Sequence, residues 1–284
     1  MTTDALTRSW IRTAADEKAV ALGHRFDAER GEFACRWMEQ YLCLYEGEFA
    51  GKSLNLMPYQ REFVMRLFGW VRWSDERKEW IRRFTVASLW AAKKVGKSPL
   101  LAAIGLYLTC GDGEQGQKVY MAAKNGDQAK IAQRHAFAMV EQSRSLLADC
   151  KLNRSTLQIT HTPTRSAMLV LTGDDSRGAK AKEGLNGSVL VDECHVFDRE
   201  MHERTSRAGI SRKEPLNLSV STAGDDPSSY GHERFQYGQQ VNDGHRDDPH
   251  FLHVEYGAPE KVSEADIDEH LVEYGKQANP AWGY

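Results

Sequence analysis

Cysteine is scarce and poorly placed for cross-linking. The five cysteines, Cys35, Cys43, Cys110, Cys150 and Cys194, are odd in number, scattered, and without C-x-x-C spacing. This argues against a disulfide framework or a cysteine zinc site and favours reduced thiols in a cytosolic setting. Long apolar runs are missing too. Ser98–Cys110 is apolar but well short of the ~20 residues a membrane span needs. The N-terminal stretch carries Asp4, Arg8, Arg12 and Asp16 instead of the apolar run of a signal peptide, so none is expected. Nor is there an excess of positive charge. With a net charge of −3, any nucleic-acid surface must be local. Three patches qualify: Arg61/Arg66/Arg72/Arg77/Lys78/Arg82/Arg83, Arg177/Lys180/Lys182, and Arg199/Arg204/Arg207/Arg212/Lys213.

What is present is an ordinary globular composition, 41% hydrophobic and 27% charged over 284 residues. That length supports one large α/β domain, or one domain with a small appendage. Helical periodicity runs from about Asp16 to Phe49 through Phe33, Trp37, Tyr41 and Leu44, then breaks at Gly51-Lys52-Ser53. A second amphipathic helix follows Pro58 and carries Phe63, Met65, Leu67, Phe68 and Val71. Strands are expected at Phe84–Trp90, Lys118–Ala123, Ser188–Val191, Leu216–Ser221 and Phe251–Tyr256. Helices are expected at Lys97–Cys110, Asp127–Leu147, Arg199–Ala208 and Ser263–Tyr274. Leu157–Thr160 and Ala167–Thr172 read as a hairpin inserted before the next core strand. Strands alternating with helices imply a mostly parallel sheet covered on both faces. The text divides into an N-terminal helical segment (1–50), an α/β core (51–224), and a lid or linker subdomain (225–284).

The chemistry concentrates in four stretches. Ala91-Ala92-Lys93-Lys94-Val95-Gly96-Lys97-Ser98-Pro99 falls between an expected buried strand and a helix, where phosphate-binding loops lie. Backbone N–H groups of Ala92, Lys94, Val95 and Gly96 and of the helix start would face phosphates. Lys97 would reach the β- and γ-phosphates, and the Ser98 hydroxyl would complete a Mg²⁺ shell. Pro99 sits in the first helical turn, where its missing N–H costs little. The glycine expected five residues before Gly96 is Ala91, so the loop is a variant; the plain alternative is an exposed turn with a lysine.

Val189-Leu190-Val191-Asp192-Glu193-Cys194-His195 is an apolar strand ending in two carboxylates, at the edge where α/β sheets place ligands. Asp192 would hold Mg²⁺ and Glu193 would polarise the attacking water, since consecutive residues leaving a strand point apart. A built-in base for water favours hydrolysis over transfer. The alternative is a capping acid followed by a solvated one. His195 reads equally as a γ-phosphate sensor or as a packed histidine. Leu216–Gly224 is a strand ending in Ser221 and Thr222, where P-loop ATPases with an additional strand sense the γ-phosphate; a plain strand-to-turn junction is the alternative. Upstream, Leu56-Met57-Pro58-Tyr59-Gln60 fits an adenine-recognition element, because a glutamine amide can read the adenine N6 and N7 edge.

In this order the stretches resemble the ATPase domain of tailed-bacteriophage large terminase subunits, the DNA-packaging motor. The resemblance rests on P-Y-Q, A-A-K-K-V-G-K-S, S-R-G-A-K-A-K-E-G-L-N-G, V-L-V-D-E-C-H, S-T-A-G and A-N-P-A-W-G, over about residues 54–284. It implies a P-loop NTPase fold of the additional-strand type that uses ATP and Mg²⁺. Lys93 matches a catalytic basic residue that is commonly arginine in the family, and lysine cannot make its planar bidentate contact. Arg177 becomes the candidate trans-acting arginine finger. The implied partners are double-stranded DNA, a portal protein, a small terminase subunit and further copies of the chain in a ring, five in number. The implied setting is the cytoplasm of an infected bacterium, transiently at the procapsid portal. Large terminases also carry a nuclease domain, and the closing A-N-P-A-W-G-Y reads as the approach to one, so an ATPase fragment without DNA cleavage is expected. Two rivals stand beside this reading: a DExH-type helicase motor, and a non-catalytic module that only docks to a portal.

Overall fold

The computed structural model of the chain describes residues 3–123, 126–172, 185–196, 199–206, 208–224, 226, 228–257 and 264–283. Helices α1 (Thr3–Ser9) and α2 (Ala14–Ala21) lead through a short strand, β1 (Arg25–Phe26), into α3 (Ala28–Tyr41). Helix α4 (Pro58–Gly69) starts on its proline and runs straight into a hairpin, β2 (Trp70–Ser74) and β3 (Glu79–Arg82). There follow β4 (Val86–Trp90), α5 (Lys97–Cys110), β5 (Lys118–Ala123), α6 (Gly126–Gln142), α7 (Arg144–Asp149), β6 (Cys150–Asn153), β7 (Gln158–His161) and β8 (Ser166–Thr172). The chain continues with β9 (Ser188–Asp192), α8 (Arg199–Ser206), β10 (Asn217–Ser221), α9 (Tyr230–Asn242), β11 (Phe251–Glu255) and α10 (Glu264–Ala278).

The main sheet has the order β11-β4-β10-β9-β5-β8-β7-β6, parallel from β11 to β8 and antiparallel in its last two pairings. Strands β1, β2 and β3 form a separate small sheet. Three expectations need correction. The helix expected at 127–147 breaks at Ser143 into α6 and α7. The expected hairpin forms as β7 and β8, but with β6 it makes an antiparallel extension of the main sheet, to which β8 is joined by parallel pairing with β5. Strand β11 pairs in register with β4, so the core sheet extends past the boundary drawn at 224.

Helix α5 explains the layering. Leu100, Leu101, Ile104, Leu106 and Leu108 are fully buried, so apolar side chains surround the helix axis and both sides must be covered. The sheet covers one side and α3 with α4 the other, where Tyr107 meets Phe68 and Trp37 edge-on. Each such leucine contributes roughly 1.5–3 kcal/mol through burial. Gly105 permits the close approach, because a Cβ there would lie 2.8 Å from Met168 and 2.9 Å from Leu190.

The N-terminal helices are tied to the sheet by charge. Buried Asp16 of α2 accepts from Arg83 at 2.7 Å and from Arg66 at 3.4 Å. The first basic patch is therefore mostly buried or paired, with Arg77 and Lys78 left exposed. Arg66, Arg82 and Arg83 are buried, and Arg61 is paired with Glu32 and Glu39. The second patch lies outside the described residues. In the third, Arg199 pairs with Glu233 and Lys213 with Glu79, while Arg212 donates to the Gln115 and Gly116 carbonyls.

Candidate nucleotide site

The loop leaves β4 at its carboxyl end. Ala91 continues the ladder by donating its N–H to the Ser221 carbonyl (3.1 Å). The left-handed positions of the loop are Lys94 (φ +65°) and Gly96 (φ +86°), not Ala91. A glycine is thus required at 96, where α5 begins, and not at 91. Gly96 caps the helix without any side-chain bond, which leaves the first N–H groups of α5 available to an anion. Lys93 and Lys94 are exposed, Val95 is buried, and Ser98 and Pro99 are half-buried.

Lys97 is almost wholly buried and turns back on its own loop, donating to the carbonyls of Ala91 (2.9 Å) and Ala92 (2.6 Å). Burial lowers its pKa; the nearby carboxylates of Glu193 and Asp192 oppose that shift, and Lys93 adds to it. Across from it, Asp192 closes β9 and takes a hydrogen bond from Ser98. Its Oδ1 is buried without a partner. Burial raises the Asp192 pKa, with the Ser98 bond working the other way. Glu193 adopts a left-handed backbone (φ +55°), which turns it away from Asp192. Its Oε2 accepts from the Thr222 N–H (3.4 Å) and hydroxyl (3.3 Å) and lies 3.2 Å from His195 Nδ1.

Ser221 does structural work the sequence did not reveal. Fully buried, its Oγ accepts the His195 N–H (3.2 Å) and lies 2.9 Å from His195 Nδ1, tying the carboxylate turn to the end of β10. Gln60 is also occupied. Its Oε1 accepts from the Met57 N–H (3.0 Å), and its Nε2 donates to the Gly96 carbonyl (3.2 Å). Tyr59 donates its hydroxyl to the Val95 carbonyl (2.5 Å). The P-Y-Q stretch thus braces the loop from the α4 side. Arg177 lies outside the described residues.

A cavity of about 490 Å³ opens at the same sheet edge, on the α9 face, bounded by Ala91, Ala92, His195, Gly224, Tyr256 and Ala278 among others. Sequence reasoning missed this wall because β11 and α10 were assigned to another subdomain. No group of three or more metal-ligating side chains occurs among the described residues. Any Mg²⁺ would therefore rest on Asp192 and Ser98 together with ligand oxygens. Those two fit it, because the orphaned Asp192 Oδ1 is an anionic oxygen lacking a partner.

A phosphate loop after β4, paired acids after β9 and a further strand, β10, between them define a P-loop NTPase of the additional-strand class. A family profile described as "Terminase large subunit, ATPase domain" matches residues 58–240. The chain belongs to that family. By structure it is similar to the large terminase of bacteriophage HK97, with TM-score 0.70 and 21% identity, over 89% of this chain and 48% of that one. It thus spans about half the length of that terminase. The large terminase ATPase domain of Thermus phage P74-26 also matches, with TM-score 0.48 and 18% identity, over 69% of this chain and 87% of that one. No curated protein matches by sequence. No described helix is long and apolar enough to cross a membrane.

Proposed function

We propose that this chain hydrolyses ATP to drive double-stranded DNA into a viral procapsid. The observation that carries hydrolysis is the convergence of Lys97, Asp192 and Glu193 at one sheet edge, with the Asp192 Oδ1 unpartnered. Lys97 exchanges the Ala91 and Ala92 carbonyls for phosphate oxygens when nucleotide arrives. The loop and α5 amides receive the phosphate charge. Glu193 accepts a proton from the attacking water, and Thr222 and His195 hold its carboxylate in place. Mg²⁺ at Asp192 and Ser98 would neutralise charge building on the phosphates. Ser221 and Thr222 link Glu193 to β10 and give hydrolysis a route into the sheet.

The coupling to DNA, portal and small terminase, and the ring with Arg177 reaching a neighbour's γ-phosphate, belong to the same proposal, and family membership supports them. Glu193→Gln is expected to lower kcat by about 10²–10⁴-fold with nucleotide affinity unchanged, measured by phosphate release and by calorimetric titration. Unchanged turnover would remove Glu193 as the base and favour a non-catalytic docking module. Stimulation of turnover by a portal or small terminase supports the motor; strand separation of a forked duplex would point instead to a helicase.

A further inference from the structure

Central parallel strands covered on both faces are expected to be apolar throughout. Strand β10 departs from this on one face, where Asn217, Ser219 and Ser221 alternate along it, both serines buried. Ser221 is spent on His195. The Ser219 hydroxyl has no hydrogen-bond partner among the described residues. Ser88 of β4 lies in register with Ser219, and His253 of β11 with Ser88, so a buried polar row crosses the sheet. The row faces α9, whose Phe235 meets His253 at 5.5 Å and Trp90, two residues beyond Ser88, at 5.2 Å. Under α8 and α9 this row borders a cavity of about 220 Å³, lined by Ser88, Trp90, Ser219, Arg234 and Asp248 among others. We propose that the cavity binds a small oxyanion, held by the Trp90 indole N–H, the Ser219 hydroxyl and the Arg234 guanidinium, at a site separate from the phosphate loop.

Trp90 is only 5% exposed, and its Nε1 is buried without a partner. An indole N–H can only donate, and a buried donor left unmet is costly. Arg234 lies over the rings of Tyr237 (4.8 Å) and Phe251 (5.2 Å), and no carboxylate pairs with it among the described residues. Ser88 is already engaged: with His253 Nε2 turned to Glu255 at 2.9 Å, the Ser88 hydroxyl donates to His253 Nδ1 at 2.8 Å. Asp248, the acid of the wall, accepts from the Tyr237 hydroxyl (3.0 Å) and the His250 N–H (3.3 Å). Trp90, Ser219 and Arg234 thus present donors, one of them cationic, which selects an anion with several acceptor oxygens. The volume lies below the ~300–1,000 Å³ of larger ligand pockets and suits an ion of phosphate or acetate size with a few waters. None of residues 91–99 lines it, so it is not the phosphate cradle.

The test is equilibrium dialysis of inorganic phosphate and of acetate, each alone, against the full chain carrying Lys97→Ala, which disables the proposed phosphate loop. One ion is expected to bind in that background. Adding Trp90→Phe keeps a ring against Phe235 and deletes the N–H; adding Arg234→Gln deletes the charge at a half-buried position that tolerates exchange. Each is expected to weaken binding about tenfold or more. Tighter phosphate assigns a tetrahedral ion and tighter acetate a carboxylate, and either supports the site. Binding of neither ion at roughly 10 mM overturns it, since even a weak site would show there. So does unchanged affinity in both Trp90→Phe and Arg234→Gln. Phosphate held by the unmodified chain but lost with Lys97→Ala would assign all anion binding to the loop and remove the cavity site. The P-loop reading is decided separately, by ATP turnover, so the two can fail independently.

Discussion

Lys97 holds a positive charge where burial opposes it, and only two loop carbonyls and two nearby acids make that tolerable. Phosphate is a better partner than a carbonyl, so the residue is set to exchange one for the other. Lys97→Ala should abolish ATP hydrolysis, whereas exposed Lys93, replaced by alanine, should impair turnover more than binding. Equal loss of binding in the two variants would make Lys93 a mere part of the cradle. At this scale the sequence placed Gly96, Lys97, Asp192 and Glu193 together at one sheet edge, and the structure brings them there. It was not legible where orientation decides. Nothing in P-Y-Q tells that the Gln60 amide turns toward Gly96. The alanine at 91 looks like damage until the backbone shows that the left-handed turns fall at Lys94 and Gly96.

Among elements, α2 and β11 show how the sheet edge beside the loop is secured. Asp16 brings α2 onto Arg83, which is wholly buried and also donates to the Pro249 and Ala15 carbonyls. Asp16→Ala would leave Arg83 and Arg66 buried without a counter-charge. The expected loss is about 3–5 kcal/mol, read from the urea midpoint. Just beyond α2, His24 stacks on His250, which precedes β11, with ring centroids 5.9 Å apart. Burial, then Arg83, pushes the His24 pKa down to about 4, and burial with Arg72 lowers that of His250. An unfolded chain takes up those protons near pH 6.5, before the folded one does. Stability present above pH 6.5 is therefore lost as pH falls from 6.5 to about 4. His24→Asn should move the acid-unfolding midpoint, followed by circular dichroism, to lower pH. Strands β4, β5, β9 and β10 were readable because buried parallel strands are short apolar runs. The β2–β3 hairpin was not, since its mixture of tryptophan and charge fits an amphipathic helix end equally well. Strand β11 was seen but misassigned, because its partner β4 lies far away in sequence.

For the whole molecule, the proposed catalytic parts sit at one edge of one sheet, and the proposed finger, Arg177, would come from another copy. Subunits carrying Lys97→Ala lack a cradle but keep Arg177; those carrying Arg177→Ala keep the cradle. Mixing the two should restore ATP turnover above either alone, and absence of rescue would take Arg177 out of a neighbour's site. The far end of the chain also reaches this edge. Ala278, the last residue of α10, accepts the Ala92 N–H at 3.3 Å, and Trp282 packs over Gly275. In mechanical terms, tension drawn through residues 279–283 acts on the nucleotide loop through the Ala92–Ala278 hydrogen bond and on the core through Ala281. Such a bond breaks easily, so a pull on residues 279–283 is expected to be felt at the loop we propose to cradle phosphate.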